Sequence, residues 1–272
     1  MLTIFARAQS SDPRLAELQQ RLKQFYRGNE AYYDYAENDK SFIYEPILRH
    51  IKSRRASNAA RVRILELGAG RTAFPAFIRQ QKFENNIEYL AHDIDDTNAD
   101  FYRQNKIDFI VGDFPEIAKR GTFDLCFSTY VFEHLVAPHR FLQGMKEVLN
   151  PGGAIIIVCP KYGFPGYIPP AIRWLPWWRQ QLLTLFLFAS GIATRLTRAP
   201  KFWICADPAV FKRPWRRDYD AVHMVSRNDV RAALRDSFDV RSFPLQRSTL
   251  KMRLLDNIIT LSIIAQRRVT AP

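Results

Sequence analysis

Cysteine is scarce in this chain. There are three in 272 residues, Cys126, Cys159 and Cys205, an odd number with no paired spacing. That excludes a disulfide-stapled scaffold and fits a reducing compartment. Glycine is also sparse, at 11 residues, and with 13% aromatics this rules out collagen-like and low-complexity classes. No internal repeat or biased tract interrupts the sequence. The start, MLTIFARAQSSDP, lacks a continuous apolar core because Arg7 breaks it, so a cleaved secretory signal is not expected and the cytoplasm is the expected compartment. The apolar run Leu182–Ala193 is twelve residues long, short of the roughly 20 that a membrane-spanning helix needs.

What is abundant is ordinary in total and uneven in distribution. An apolar fraction of 47% with 25% charged residues describes a folded globular chain, long enough for one doubly wound domain with insertions or for two small domains. The formal charge is +13. Residues 61–160 carry eleven Lys/Arg against thirteen Asp/Glu, whereas residues 161–272 carry nineteen against seven. All five tryptophans (Trp174, Trp177, Trp178, Trp203, Trp215) fall in that basic half. Charge and large aromatics are therefore concentrated together.

The first sixty residues read as helical, with Leu15, Leu18, Leu22 and Phe25 at helix-face spacing after Asp12-Pro13 and a second helix over Phe42 to Ile51. From residue 61 the pattern changes to strand-like runs at Val62–Leu67, Ile87–His92, Ile107–Val111, Phe123–Ser128 and Ala154–Cys159. Amphipathic stretches around 73–82, 96–105 and 138–149 separate them, the last closed by Asn150-Pro151-Gly152-Gly153. Short strands alternating with single helices predict βαβ units and a buried parallel sheet. After 161–215 the alternation resumes with a helix near 226–236, then Phe238–Phe243 and Ile258–Gln266, expected to pair as a terminal hairpin.

Three strand ends carry chemistry. Ile64-Leu65-Glu66-Leu67-Gly68-Ala69-Gly70 runs a strand into a glycine turn, where open α/β sheets let backbone approach a nucleotide. A plain tight turn is the alternative, and GxGxxG is incomplete because Ala73 stands at the third place. Asp93, some twenty residues on, ends the second apolar run and can accept hydrogen bonds from both ribose hydroxyls of an adenosine; Asp95 and Asp96 compete for that role. Val111-Gly112-Asp113-Phe114 ends the third strand with a carboxylate beside an aromatic, suited to an adenine edge and face, or simply to an exposed strand-to-helix turn.

With these three ends in order, the sequence resembles the class I S-adenosylmethionine-dependent methyltransferases. The likeness covers roughly 61–160: ELGAG matches the first motif, Asp93 the ribose acid and Gly112-Asp113-Phe114 the adenine motif. Phe123–Ser128 followed by Phe132-Glu133-His134-Leu135 resembles the fourth-strand motif of the small-molecule branch, and Val148-Leu149-Asn150-Pro151-Gly152-Gly153 its turn before strand five. The resemblance implies an α/β fold: a Rossmann-like, seven-stranded, mostly parallel, doubly wound sheet with helices on both faces, in the order 3-2-1-4-5-7-6 with strand seven antiparallel. It divides the chain into an N-terminal helical cap (1–60), a cofactor-binding core (61–160), a Trp-rich lid insertion (161–215) and a C-terminal completion of the sheet (216–272). The implied cofactor is S-adenosyl-L-methionine, held by Glu66, Gly68, Ala69, Gly70, Asp93, Ile94, Asp113, Phe114 and Thr129, with Glu66 and the glycine turn at the methionine part. His134 is the candidate catalytic residue, either a general base for a hydroxyl acceptor or a residue that shapes the cofactor pocket. Some quinone-pathway relatives hold a metal with an acid three residues before the Glu-His; Tyr130 stands there, so no metal is expected. Of the other histidines, His50 and His139 read as helix-surface residues and His223 as facing the acceptor pocket.

The acceptor is expected to be an amphipathic small molecule, or a lipid-linked sugar or quinone-like compound, methylated on oxygen. Segment 172–201 sets tryptophans and a Leu/Phe run beside Arg195, Arg198 and Lys201, which reads either as a peripheral contact with anionic membrane or as an internal lid. A nucleic-acid substrate would use the +12 of the C-terminal half, but the basic residues are dispersed around a long aliphatic run and no Asn/Asp-Pro-Pro-Tyr/Phe motif follows strand four. A binding module without activity is disfavoured by the intact Gly68, Gly70, Asp93 and Asp113.

Overall fold

The computed structural model describes residues 4–27, 40–57, 61–173, 175–206, 218–245 and 249–269. Trp174 and Trp215 lie outside the described residues. The central sheet is built from β2 (Val62–Leu67), β3 (Ile87–Asp93), β4 (Phe109–Val111), β5 (Phe123–Thr129), β6 (Leu149–Pro160), β8 (Phe238–Ser242) and β9 (Thr260–Arg267). Its order is β4-β3-β2-β5-β6-β9-β8, with β9 antiparallel to both neighbours and the first five strands parallel. This is the order that the resemblance to the methyltransferase family implies.

Strand periodicity explains the layers. Successive residues of a strand face opposite sides. Leu65, Leu67, Cys126, Ile155, Ile157, Ile263 and Ala265 therefore pack one face against α1 (Pro13–Arg27), α6 (Pro138–Glu147) and α8 (Arg227–Leu234). Ile64, Leu125, Phe127, Ala154, Ile156 and Val158 pack the other against α2 (Ser41–Ser57) and α3 (Phe74–Gln80) through Ile43, Ile47, Ile51, Phe74 and Phe77. Burial on both faces is why the strands read as near-continuous apolar runs. Short helices α4 (Ala99–Gln104) and α5 (Phe114–Ala118) follow β3 and β4.

Several features depart from the expectation. Pairing of β6 begins at Leu149, opposite Phe123, so the Pro-Gly-Gly turn lies inside the strand, at an irregularity between Phe123 and Leu125. A second sheet of two strands joins β1 (Ile4–Arg7) to β7 (Trp203–Ala206), antiparallel. The long α7 (Trp177–Thr197) precedes β7, and α9 (Leu250–Ile259) stands between β8 and β9, so these strands pair without forming a simple hairpin. Among the described residues no helix is long and apolar enough to cross a membrane.

Candidate active site

The carboxyl ends of β2, β3, β4 and β5 surround a cleft of about 820 Å³, lined on the far side by α1 and α6. The first wall is the glycine turn. Gly68 has φ +65°, and a Cβ there would lie 2.6 Å from a methyl of Val131, so only hydrogen lets the ends of β2 and β5 meet. The Ala69 N–H donates to the His92 carbonyl (2.9 Å), which ties the turn to β3.

Asp93 is fixed by four donors. Its Oδ1 accepts from the Ile94 N–H (2.9 Å), and its Oδ2 from the Gly70 N–H (3.3 Å), the Asn98 amide (3.1 Å) and the Tyr102 hydroxyl (3.4 Å). Burial raises its pKa against the pull of these donors. The competitor Asp95 also lines the cleft, but its carboxylate accepts from Thr97 and pairs with Arg27 at 3.8 Å. Asp113 stands at the N-terminus of α5, and the next residue, Phe114, lays its ring over Gly144, where a Cβ would be 2.2 Å from the ring. Phe141 meets Phe114 edge-on at 5.8 Å. An aromatic wall therefore stands beside a carboxylate, as an adenine requires.

Gly68, Gly70, Asp93, Ile94, Asp113, Phe114 and His134 all line the cleft, whereas Glu66, Ala69 and Thr129 do not. Glu66 is buried behind the turn, accepting from the Thr72 hydroxyl (2.9 Å) and the Tyr89 hydroxyl (2.5 Å). Burial pushes its carboxyl up to about 7, with those hydrogen bonds and Lys40 pulling the other way. Thr72 in turn accepts from the Phe74 N–H (3.1 Å), so Glu66 acts through Thr72 on the start of α3. Thr129 is buried as the last residue of β5, paired with Val158. Next to it Tyr130 has φ +57°, a left-handed conformation that costs an aromatic residue energy.

His134 closes a single 3-10 turn, Phe132–His134, and reaches the cleft wall. Its Nδ1 lies 3.0 Å from Asp220 and its Nε2 3.7 Å from Glu133, and Tyr26 stands edge-on to the ring at 6.4 Å. Burial alone would lower the imidazole pKa; the carboxylates of Asp220 and Glu133 outweigh it and push it up to about 10. Asp220 is held below its ordinary value because the His134 charge outweighs its own burial. Glu133, fully buried, is pushed up to about 7 by desolvation. The wall thus presents a cation backed by buried carboxyls.

His223, expected to face the acceptor, is instead a core residue. It is fully buried, with Nδ1 at the Phe132 carbonyl (2.9 Å) and its pKa lowered by burial to about 4. His139, read as a surface residue, lines the cleft. The lining expected from 161–215 comes, among the described residues, from α1: Gln19, Leu22, Lys23 and Tyr26. Asp220, three positions before His223, carries no signal of its own in the sequence; its 3.0 Å approach to His134 is what marks it.

S-adenosylmethionine, implied by the resemblance, fits this donor set. The cleft volume lies in the roughly 300–1,000 Å³ range of small-molecule sites. In the cleft Asp93 is a fixed carboxylate of the kind a ribose would need, and Asp113 with Phe114 sets an acceptor beside a ring, as an adenine would need.

Residues 65–157 match the family model described as a methyltransferase domain. No curated protein matches the chain. Among solved structures, the plantazolicin methyltransferase BpumL, in complex with a triazolic desmethylPZN analog and SAH, is 14% identical, with a TM-score of 0.55 over 94% of this chain and 99% of that one. The Burkholderia thailandensis 1,6-didemethyltoxoflavin-N1-methyltransferase is 13% identical, with a TM-score of 0.49 over 95% of this chain and 91% of that one. The CurJ carbon methyltransferase is 17% identical with a TM-score of 0.44; this chain is covered over 77% of its length and spans about half (49%) of that one. Strand order and family match agree: residues 65–157 match a methyltransferase domain, and the chain carries it on the fold of the class I S-adenosylmethionine-dependent methyltransferases.

Proposed function

We propose that the chain methylates an acidic hydroxyl, of the phenol or enol type found in quinone-like compounds, on an amphipathic small molecule met near a membrane. The observation that carries this reading is His134, set in the wall of a largely apolar cleft with Asp220 3.0 Å from its Nδ1, a carboxylate that holds the ring toward its protonated form. The cofactor supplies an already activated methyl, so the protein's task is to align the acceptor and keep water out. Leu22, Tyr26, Leu135, Val136 and Phe141 offer an apolar bed for the acceptor's body. His134, with its Nδ1 3.0 Å from Asp220, lines the cleft and in its protonated form stabilises an acceptor oxygen that has given up its own proton. A phenol's pKa, ordinarily about 10, is lowered beside such a group, and the phenol leaves its proton to solvent as it enters the cleft, so that it meets the methyl donor as the phenolate. A sugar hydroxyl is far less acidic and would need a free base, which a protonated His134 is not.

The test is product analysis by mass spectrometry, with S-adenosylmethionine and a panel of alkyl-substituted phenols, hydroquinones and aliphatic alcohols. Methyl ethers of the phenolic members are expected, with His134→Gln lowering turnover by roughly 100-fold, as for loss of a charged group facing an oxyanion. Methylation confined to nitrogen or carbon acceptors overturns the proposal.

A further inference from the structure

Helix α7 is built with its polarity reversed. The side it turns inward carries Thr184, Leu187, Ser190, Gly191 and Thr194. These are tied down by hydrogen bonds: Thr194 Oγ1 donates to Asp229 (2.8 Å), the Trp203 indole N–H donates to Ser190 Oγ (2.8 Å), and the Asn228 amide donates to the Gly191 carbonyl (2.8 Å). The side it turns outward carries Trp178, Leu182, Leu185, Ile192 and Leu196, a stripe at helical spacing, with Trp177 and Leu196 73% and 78% exposed. Soluble helices are built the other way round, and a contiguous exposed apolar face marks an interaction surface.

Helix α9 extends this face. It has no buried residue, yet it exposes Leu250 (72%), Met252, Leu254, Leu255 and Ile258. Ten residues without packing form a marginal helix in water. The two helices converge on one short segment: Asn228 bonds to α7, while Arg227 donates to the Asn257 carbonyl of α9 (3.4 Å). That segment lies at the carboxyl end of β6, where the Tyr162 N–H donates to the Val225 carbonyl and the Lys161 N–H to the Ile259 carbonyl. The cleft opens at this same end of the parallel strands.

Charge selects the occupant. Residues 173–201 contain no Asp or Glu but carry Arg173, Arg179, Arg195, Arg198 and Lys201, and α9 adds Lys251 and Arg253 against one acid, Asp256. The Arg179 guanidinium stacks over the Trp178 ring at 5.0 Å, an aromatic-basic pair suited to the headgroup level. We infer that α7 and α9 together form a docking face for an anionic bilayer surface, lying in its interface and turning the carboxyl end of the sheet toward the lipid. This inference rests on the membrane-near acceptor proposed above and names the surface that brings the enzyme to it.

The experiment is flotation of the full chain with vesicles of phosphatidylcholine alone or mixed with phosphatidylserine, alongside sedimentation velocity without lipid and calorimetric titration with S-adenosylhomocysteine. Binding to the mixed vesicles, weaker on phosphatidylcholine alone, is expected. Leu254→Ser with Leu255→Ser should lower it at least about tenfold, and Arg179→Gln or Lys251→Gln roughly fivefold each. All three variants should still bind S-adenosylhomocysteine. Absence of vesicle binding overturns the inference, as does self-association in solution that the leucine variants abolish while vesicles are ignored, since the face then covers a second copy. Equal binding to both vesicle types removes the anionic preference and overturns it in that form. Loss of S-adenosylhomocysteine binding by the native chain, with vesicle binding intact, would instead strike at the enzyme reading and leave the docking face standing.

Discussion

Around His134 the chain buries charge, and along α7 and α9 it exposes hydrocarbon. At the first place Glu133, Asp220 and the imidazole are withdrawn from water together. At the second, Trp177, Leu182, Leu196 and Leu250 are left in water although a core was available to take them. Each arrangement costs stability: desolvating a carboxylate is expensive, and every exposed apolar Å² forgoes roughly 25 cal/mol. The sheet interior obeys the ordinary partition, with Ile64, Leu65, Phe127, Ile155 and Ile263 fully buried. The two departures differ in the partner they prepare for: a small acceptor at one, an extended surface at the other.

The comparison breaks most sharply at Asp93. Replacing it with alanine leaves the Gly70 and Ile94 N–H groups and the Asn98 amide without their acceptor and removes the ribose partner. Affinity for S-adenosylhomocysteine should fall by about 3 kcal/mol, roughly 100-fold, in calorimetry. A change below about fivefold in a folded protein would take Asp93 out of the cofactor site. Next in size is Thr194→Val. It keeps the shape of the inner side of α7 but withdraws a donor from Asp229, whose carboxylate also accepts from the Lys201 N–H (3.1 Å) and the Phe202 N–H. Stability should drop by roughly 1–3 kcal/mol in urea unfolding. An unchanged midpoint would mean that α7 is held by its apolar contacts alone and that its polarity is not reversed in any energetic sense.

Asp220→Asn probes the buried charge itself. The folded-state pKa of His134, at about 10, lies above the ordinary 6.5. A protonated group gaining a partner contributes its stability in full below about 6.5 and loses it as the pH climbs to about 10. The native chain should lose stability across that window faster than the variant, and the His134 ring resonance, followed by NMR, should titrate nearer the ordinary imidazole value in Asp220→Asn. Activity toward a phenolic acceptor should fall with the same titration, since the oxyanion loses its cation. A rate that instead rises as His134 deprotonates would make it a general base.

How much of this was legible in the sequence follows from what each contact spans. The strands and helices were readable because βαβ units are local: strand, turn and helix each announce themselves within thirty residues, and Gly68, Asp93 and Asp113 sit at strand ends where the rule for open sheets puts a ligand; the order of the strands came only with the family resemblance those ends carry. The pairing of β1 with β7 was not, because four residues of each strand meet across most of the chain and neither carries a period of its own. Asp220 was hidden for the same reason: its role depends on His134, 86 positions away by the partners' own numbers. The motif alone implies a cofactor role for Glu66, because nothing local in the sequence reveals that its carboxylate turns inward to Tyr89 and Thr72. The hydrophobicity of α7 was plain, but which side faces in is decided by Ser190, Thr194 and their distant partners Trp203 and Asp229.

The smallest expected effect sharpens the comparison best. Leu254→Ser and Leu255→Ser remove side chains that touch no core, so each should change the free energy of unfolding by less than about 0.5 kcal/mol. Ile263→Ser, a few residues on in β9 and fully buried, should cost several-fold more because it creates a cavity and buries a hydroxyl. The contrast isolates exposure as the variable, since both positions lie in one continuous stretch of chain. If the α9 leucines prove as costly as Ile263, the helix is packed in solution against something the isolated fold does not provide, and a second copy of the chain becomes the occupant to test. If they prove free, their apolar character is doing nothing for folding, and the only work left for it is at a surface outside the protein.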